Sequence, residues 1–396
     1  MASVTTTKKF IEATGNLAVA YAVKQVNVDF ISAYPITPQT IIVEALSQYV
    51  ADGELKAKFV NVESEHSALS ACIGAAIAGA RVFTATSSQG LALMFEELPV
   101  ASGLRLPIVM ALSMRALSAP INIHNDHSDF MSVRDQGWIM LSAEDAQEIY
   151  DLTLMAFKIA EDENVLLPTI VAMDGFTISH TLQRVDVLED EVVRKFVGER
   201  KIKYKLDVDD PLTFGPLALT DSYFEFKRQQ HEAFKNSEKV IREVFREYGK
   251  ISGRKYEPLK KFMMEDAEVA IVAMGSTVGI ARIAAKKLRE EGIKAGVVGF
   301  TLFRPTPRAE INEAFKDMKS VAVFERHLSL GAVAGPHYMD IISSLEKKDN
   351  VKIYDYVYGL GGRDITSKMI VDTVKRTVEK AERNEPMEVE FVGVRE

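Results

Sequence analysis

Hydroxyl, carboxylate, amide and guanidinium side chains cluster in four short segments, and each segment directly follows an apolar run. A guanidinium in such a place can hold a carboxylate through two parallel hydrogen bonds. The segments therefore suit a site that binds a small acid. They are YPITPQT at residues 34–40 with Thr37, ESEHSA at 63–68 with Glu65, SSQG at 87–90 with Ser88 and Gln89, and RALSAP at 115–120 with Arg115.

The same residues also have structural explanations, which the sequence alone leaves open. Thr37 and Pro38 make a good helix start, because a threonine side chain can cap a helix and a proline fits its first turn. Glu65, or Glu63 beside it, can stabilise a helix by lying near its positive end. Arg115 can form a salt bridge that only holds the chain together.

An alternation of short β-rich runs and longer helical patterns between residues 28 and 175 predicts a doubly wound parallel sheet covered by helices. Ligands bind beyond the carboxyl ends of the strands in such sheets, so the polar segments should meet on one rim. A helix at residues 8–24 should precede the sheet. The expected strands are at 28–33, 58–62, 81–86, 107–112 and 166–173, with helices at 40–49, 66–78, 89–102 and 144–160.

A second α/β pattern begins near residue 268, after a charged stretch. Residues 182–256 are typical of a linker or packing arm, with a long polar helix at 222–248. We expect two domains, at residues 1–240 and 241–396. The later strands are expected at 269–274, 295–299, 320–324 and 351–356, and the later helices at 278–291, 307–315 and 367–383.

Composition and charge argue against several classes of function. The net charge is −8 and no basic block is present, so nucleic acid is not an expected partner. No run reaches the roughly 18 apolar residues that span a bilayer, and residues 1–10 have no apolar signal core. We therefore expect a cytoplasmic protein without a membrane partner.

Cysteine and histidine usage argues against a metal site on this chain. The only cysteine, Cys72, cannot form a disulfide or hold an iron–sulfur cluster alone, and its small apolar neighbours predict a buried structural thiol. The histidines and aspartates of residues 124–129 fit no familiar zinc spacing. The run MGSTVG at 274–279 lacks a complete phosphate-binding motif, so close helix–sheet packing explains it better.

In combination, these segments resemble those of a known family. Together with FRP at residues 303–305 and GLGGRD at 359–364, they are similar to the alpha subunits of pyruvate and related 2-oxoacid:ferredoxin oxidoreductases, which use thiamine diphosphate. The resemblance implies an α/β fold, in which a doubly wound thiamine-pyrimidine-binding domain precedes a domain like the carboxyl-terminal domain of transketolase. It also implies the oxidative decarboxylation of pyruvate with CoA to acetyl-CoA, CO2 and reduced ferredoxin.

The resemblance assigns roles to individual residues. Glu65 would hydrogen-bond the pyrimidine ring nitrogen, while Thr37 and Arg115 would contact the 2-oxoacid substrate. The chain lacks the Gly-Asp-Gly motif that usually precedes a Mg2+ site in thiamine enzymes. Mg2+ and [4Fe-4S] clusters are therefore expected on beta, gamma and delta partner subunits, the cofactor is expected to be shared with beta, and ferredoxin is expected to accept electrons. The other expected cofactor-binding residues are Pro35, Ile36, Ser88 and Gln89.

Other functions remain open at this point. Branched-chain 2-oxoacids or 2-oxoglutarate could replace pyruvate as the substrate. The beta subunit of a 2-oxoacid dehydrogenase joins similar domains but passes its product to lipoyl groups, and the YPITP motif argues against it. A non-catalytic scaffold subunit would not need to retain Thr37, Glu65 and Arg115 together.

Overall fold

The computed structural model describes residues 9–201, 204–347 and 351–395, which form two large sheets and one small one. Strands of the first large sheet come mainly from the amino-terminal half, and those of the second from the carboxyl-terminal half. The strands are β1 (Lys9–Ala13), β2 (Phe30–Ala33), β3 (Lys58–Asn61), β4 (Val82–Thr86), β5 (Ile108–Met114), β6 (Ile139–Ser142), β7 (Thr169–Asp174), β8 (Gln183–Val187), β9 (Leu259–Phe262), β10 (Val269–Met274), β11 (Ala295–Phe300), β12 (Leu302–Arg304), β13 (Ser320–Glu325), β14 (Lys352–Tyr358) and β15 (Glu390–Val392).

Helices pack on these sheets, and α9 connects the two halves of the chain. It confirms the long polar helix expected within the charged stretch, although the expected domain boundary at residue 240 lies inside it. The helices are α1 (Gly15–Val26), α2 (Thr40–Ala51), α3 (Glu65–Ile77), α4 (Ser88–Leu93), α5 (Glu97–Gly103), α6 (Ser128–Ser132), α7 (Ala146–Ala160), α8 (Asp190–Val197), α9 (Tyr223–Ser252), α10 (Thr277–Glu290), α11 (Arg308–Phe315), α12 (Pro336–Ser344) and α13 (Ser367–Glu382).

The first large sheet has the order β12-β6-β7-β5-β4-β2-β3 and is parallel except for β12. This confirms the doubly wound sheet predicted from the sequence. From β2 the chain moves outward to β3 and then returns to the other side of β2 as β4. The order therefore reverses between β2 and β4, and such a switch point opens a crevice at the carboxyl ends of the strands.

The two halves are packed through a shared core. The second sheet has the order β15-β14-β13-β10-β11-β9, with only β9 antiparallel. Strand β12 leaves that half to pair with β6 of the first sheet, and the ring of Phe303 on this strand lies 5.6 Å from that of Phe130. Buried residues of both sheets form one continuous apolar cluster. The second half can therefore hold the first half's rim in place.

The helix expected at residues 8–24 is wrong over its first part. Lys8 lies outside the described residues, and Lys9–Ala13 forms β1, which pairs antiparallel with β8. Helix α1 begins only after Thr14, whose side chain accepts a hydrogen bond from the Leu17 N–H. The partner of β1 is so distant along the chain that a local pattern could not show the pairing.

The single helix expected at 89–102 is also wrong, because two helices, α4 and α5, occupy this stretch. Pro99 lies in the first turn of α5, where a missing backbone N–H costs no helical hydrogen bond. The elements that were not predicted are mostly short, and the strands among them depend on pairing with distant segments. They are β1, β6, β8, β9, β12, β15, α6, α8 and α12.

Cys72 is fully buried in α3, which confirms the predicted structural thiol. Burial raises its pKa to about 12, so the thiolate is strongly disfavoured near neutral pH. Among the described residues, no helix is long and apolar enough to cross a membrane.

Candidate active site

The four polar segments meet on one rim at the carboxyl edge of the first sheet, around the switch point. The YPITPQT loop follows β2, Glu65 opens α3 after β3, Ser88 opens α4 after β4, and Arg115 follows β5. Arg115 Nη1 donates to the Thr37 carbonyl oxygen at 2.9 Å. Ser88 Oγ donates to the Ala116 carbonyl oxygen at 2.6 Å. The structure thus brings together residues that lie far apart in sequence.

Glu65 is a buried carboxylate whose oxygens have no hydrogen-bond partner within the described ranges. It is only 7% exposed and occupies the first turn of α3, after the N-cap Ser64. Ser64 Oγ accepts from the Ser67 N–H at 3.2 Å, so the helix start does not depend on Glu65. A buried carboxylate without a partner is costly, and a ligand that hydrogen-bonds it would recover that cost.

The neighbouring acid, Glu63, has a different environment. Its side chain is exposed and accepts a short hydrogen bond from the Ser67 hydroxyl, which lowers the pKa of Glu63. Glu63 therefore fits the structural role near a helix start, whereas Glu65 is left free for a ligand. Residue type and position after β3 do not separate these two acids, and in the sequence only the family resemblance singled out Glu65.

Gly90 leaves the room that the Glu65 carboxylate occupies. A Cβ atom at this position would lie 2.6 Å from Glu65 Oε1 and closer still to Thr86 Oγ1. Within the described residues, the buried Thr86 hydroxyl also has no hydrogen-bond partner. Two polar groups without a partner therefore lie next to this glycine, which is the pattern expected where a polar ligand completes the site.

The Thr37 loop is held by side chains beneath it. Gln39 Nε2 donates to the carbonyl oxygens of Tyr34 and Ala85, at 2.9 and 3.0 Å. Asn16, which the sequence analysis missed, donates to the Pro38 carbonyl oxygen at 2.7 Å. Thr37 does not cap a helix, because α2 begins after Gln39. Within the described chain, the Thr37 side chain makes no hydrogen bond and remains exposed.

Arg115 is a buried cation without a paired carboxylate. It is 7% exposed, and burial lowers the pKa of its guanidinium although Asp129 nearby opposes that effect. Nε donates to the Asn122 carbonyl oxygen at 3.0 Å and Nη1 to Thr37, while Nη2 has no partner among the described residues. The salt bridge proposed as a structural role for Arg115 is not present there. An incoming carboxylate would therefore find a guanidinium that has no ion-pair partner among the described residues.

Ser88 and Gln89 brace the opposite side of the rim. Ser88 has φ +47°, an uncommon conformation for a residue with a side chain, and its hydroxyl contacts both the Ala116 carbonyl oxygen and Gln89 Oε1. Gln89 is exposed, and Oε1 also accepts from the Ser118 N–H at 3.3 Å. Pro35 is exposed and Ile36 half-buried at the outer side of the Thr37 loop.

Asp129 joins three segments of the site through hydrogen bonds. Its sequence context had indicated only a poor metal ligand. Its Oδ2 accepts from the N–H groups of Ser88 and Arg115, at 2.8 and 3.0 Å. Its Oδ1 accepts from the Phe130 N–H at 2.7 Å. A sequence pattern could not reveal this role, since all three donors are backbone groups. The side chain is fully buried.

Asp129 should make the stability of the assembled protein depend on pH. Burial raises its pKa to about 7, against the opposing effect of its N–H donors. The ordinary pKa of an aspartate, about 4, applies to the unfolded state. Because the folded state holds the proton up to about pH 7, the protonated Asp129 contributes its full stabilisation below about pH 4, and this contribution is lost as pH rises through about 7. We expect Asp129→Asn to flatten the decline of the melting temperature between about pH 5 and pH 7.

Thermal unfolding at a series of pH values tests this expectation. The matched control is Asp135→Asn, because Asp135 is exposed on a nearby loop. An unchanged slope in Asp129→Asn, or an equal change in the control, would contradict the assignment of this pH dependence to Asp129.

The histidines and aspartates of residues 124–129 have separate partners. His127 Nε2 contacts Asp174 at 2.9 Å, and Asp126 Oδ1 accepts from the Ser128 N–H at the same distance. The ring of His124 lies 5.0 Å from that of Phe176. In the described part of the chain, no group of three or more potential ligands could hold a metal ion.

Comparison with solved structures defines the class of fold. A 2-oxoglutarate:ferredoxin oxidoreductase from Magnetococcus marinus superposes with a TM-score of 0.72 and 23% identity, over 94% of this chain and 66% of that longer one. A split-gene transketolase superposes with a TM-score of 0.55 and 15% identity, over 92% of this chain and 98% of that chain. The chain therefore shares the α/β fold of these two proteins.

Sequence comparison gives the family. The profile of the pyruvate flavodoxin/ferredoxin oxidoreductase thiamine-diphosphate-binding domain matches residues 21–246, and that of the pyruvate:ferredoxin oxidoreductase core domain II matches 267–370. Pyruvate synthase subunit PorA of Thermotoga maritima is 50% identical over 91% of this chain and 92% of its own length. The PorA subunit of Methanocaldococcus jannaschii is 46% identical over 97% of both. The chain belongs to the alpha-subunit family of pyruvate:ferredoxin oxidoreductases, which confirms the resemblance seen in its motifs.

Proposed function

We propose that this chain is the pyrimidine-binding subunit of an enzyme that oxidatively decarboxylates pyruvate. One pyruvate and one CoA thiol give acetyl-CoA, CO2 and one proton, and the two electrons released pass singly to ferredoxin. The main support for the proposal is that two buried charged groups lie on the same rim. Glu65 presents a buried carboxylate and Arg115 a buried guanidinium, and neither forms an ion pair in the described chain.

The residues present fit thiamine diphosphate. The Glu65 carboxylate can hydrogen-bond a protonated ring nitrogen of the aminopyrimidine, and the orphaned Thr86 hydroxyl beside Gly90 is a further polar group in the same place. Pro35, Ile36, Ser88 and Gln89 stay proposed contacts of the cofactor. The chemistry that thiamine diphosphate supplies when bound is carbanion stabilisation, which lets a 2-oxoacid lose CO2.

Gly90→Ala is expected to lower kcat/KM for pyruvate by about 100-fold, the scale of a 1 Å displacement at a catalytic group. The new Cβ would come 2.6 Å from Glu65 Oε1 and force the carboxylate to move. Steady-state kinetics of the assembled enzyme measures the effect. In the control Gly279→Ala, on α10, a Cβ atom would meet no atom of the described chain within 4 Å. Similar kinetics in both variants would show that Gly90 gives Glu65 no necessary space.

Arg115 and Thr37 are proposed to hold the substrate. The free Nη2 of Arg115 can donate to the 2-oxoacid carboxylate while Nε and Nη1 stay bound to the chain. The Thr37 hydroxyl can donate to an oxygen near the reacting carbonyl. Both residues belong to segments that are fixed from below, so the substrate would be held in one orientation before reaction.

The diphosphate half of the cofactor is proposed to lie on a beta subunit with Mg2+, and the [4Fe-4S] clusters on gamma and delta subunits. Cys72 cannot serve as a cluster ligand here, because it is buried and its pKa is raised to about 12. Apolar side chains beside the rim support a partner surface. Leu93 is 50% exposed, Phe95 44% and Ile121 78%.

Domain boundaries and cellular location are also proposals. We assign the first domain, with its linker arm, to residues 1–240 and the second domain to 241–396. We place the enzyme in the cytoplasm, where CoA and ferredoxin would be available to it.

Branched-chain 2-oxoacids are the second candidate substrates. Ketoisovalerate oxidoreductase subunit VorA of Pyrococcus abyssi is 42% identical over 95% of this chain. Pyruvate comes first because the PorA subunits are similar at up to 50% identity.

The test uses the complex purified through a tag on this chain. CoA-dependent reduction of ferredoxin is measured in parallel with pyruvate, 2-oxoisovalerate and 2-oxoglutarate. Preference for pyruvate is the expected result. Preference for another acid would replace pyruvate but keep the reaction, and no reduction by a complex with bound clusters would reject the proposed function.

A further inference from the structure

Arg115 depends for its position on a loop that the second half of the molecule holds. Its Nε donates to the Asn122 carbonyl oxygen. The Asn122 side chain then bridges the two halves, because Nδ2 donates to the Gly361 carbonyl oxygen at 3.1 Å. Its Oδ1 accepts from the His124 N–H at 2.7 Å, which closes a local turn. A direct path of contacts therefore joins the Gly361 turn to the guanidinium.

Two further hydrogen bonds attach the same loop to the second half. The Gly361 N–H donates to Asp126 Oδ2 at 3.2 Å. The His127 N–H donates to the Arg326 carbonyl oxygen at 2.8 Å. Beyond the loop, Arg326 Nη1 also contacts Asp174 at the end of β7, at 3.2 Å. The second half therefore holds the loop through these hydrogen bonds, while Asp129 attaches the loop to the first half.

Glycine at 361 and 362 permits this close approach. Gly361 has φ +62° and Gly362 has φ +84°, which residues with side chains rarely adopt. A Cβ at Gly361 would lie 2.5 Å from Asn122 Nδ2, and one at Gly362 would lie 2.5 Å from His124 Cβ. Glycine at these two positions therefore permits both the positive φ angles of the turn and its close contact with Asn122 and His124.

We propose that residues 359–362 of the second half position the substrate arginine through Asn122, and so set the affinity for the 2-oxoacid. The inference rests on the proposed role of Arg115. If the Asn122 carbonyl oxygen moved, Arg115 would no longer hold its free Nη2 in one direction. Carboxylate binding would then become weaker, while the later chemical steps would be affected less. Asn122 and Gly361 are positioning residues, since neither needs to touch the substrate.

Asn122→Ser and Gly361→Ala test this proposal in the assembled enzyme. A serine hydroxyl can still accept from the His124 N–H, so the local turn is kept, but it is too short to reach Gly361. We expect KM for pyruvate to rise about fivefold to tenfold in Asn122→Ser, the scale of one lost hydrogen bond, while kcat changes little. Gly361→Ala should raise KM at least as much. The double variant should show less than the product of the two effects, because both act on one contact.

Asn164→Ser is the matched control, because it makes the same chemical change on an exposed loop at the amino edge of the sheet. Its KM should be unchanged. Wild-type KM in Asn122→Ser would overturn the inference, and so would equal losses of kcat and melting temperature without a change in KM. Arg115→Lys distinguishes a failure of the proposed role of Arg115 from a failure of the inference about residues 359–362. If that variant keeps the wild-type KM, the proposed role of Arg115 fails; if it raises KM and Asn122→Ser does not, only this inference fails.

Discussion

Glu65→Gln is expected to lower turnover of the assembled enzyme by about 10²- to 10⁴-fold, the usual contribution of a group that controls a proton. Glutamine has nearly the same shape, so it fits the space beside Gly90 and leaves the N-cap at Ser64 intact. It cannot carry the negative charge by which Glu65 is proposed to favour a proton on the pyrimidine ring nitrogen. The complex should therefore assemble normally yet react slowly.

Pyruvate-dependent viologen reduction measures this loss, and size-exclusion chromatography checks assembly. Glu63→Gln is the matched control, because Glu63 is exposed and its contact is with Ser67. Its turnover should stay near that of the wild type. If Glu65→Gln also retained near-normal turnover, Glu65 would not be the acid that acts on the cofactor.

Arg115→Ala is expected to lower kcat/KM for pyruvate by about 100-fold, with most of the effect in KM. Losing a charge-assisted hydrogen bond to the substrate costs about 3 kcal/mol, which corresponds to this factor. The substitution also removes the hydrogen bonds to the Thr37 and Asn122 carbonyl oxygens, which hold the loops around the proposed substrate site. Steady-state kinetics over a wide range of pyruvate concentrations separates KM from kcat.

Arg105→Ala controls for the general cost of removing a half-buried arginine that binds backbone carbonyl groups. Arg105 also donates to two carbonyl oxygens, those of Val165 and Leu166, and burial lowers its pKa as well. It lies at the amino edge of the sheet, far from the proposed site. Its replacement should lower the melting temperature but leave KM for pyruvate unchanged. The role of Arg115 would be refuted by a wild-type KM in Arg115→Ala.

Local sequence patterns predicted the fold where neighbours along the chain decide the structure. The runs that form β2, β4, β5 and β7 are mostly apolar, and nearly all of their residues are buried, as expected for strands covered on both faces. The first helix was predicted too early, because β1 depends on pairing with the distant β8. Strand β12 was missed because its partner, β6, belongs to the other half of the chain.

The sequence by itself determined the family, the order of the elements and the residues that could do chemistry, since each of these follows from local motifs and periodicity. Only the tertiary structure showed how the environments of Glu65 and Glu63 differ, because burial and the competing Ser67 contact depend on how α3 packs. It also showed the roles of Asp129 and Asn122. Their partners are backbone groups of distant segments, and backbone groups leave no signature in a sequence.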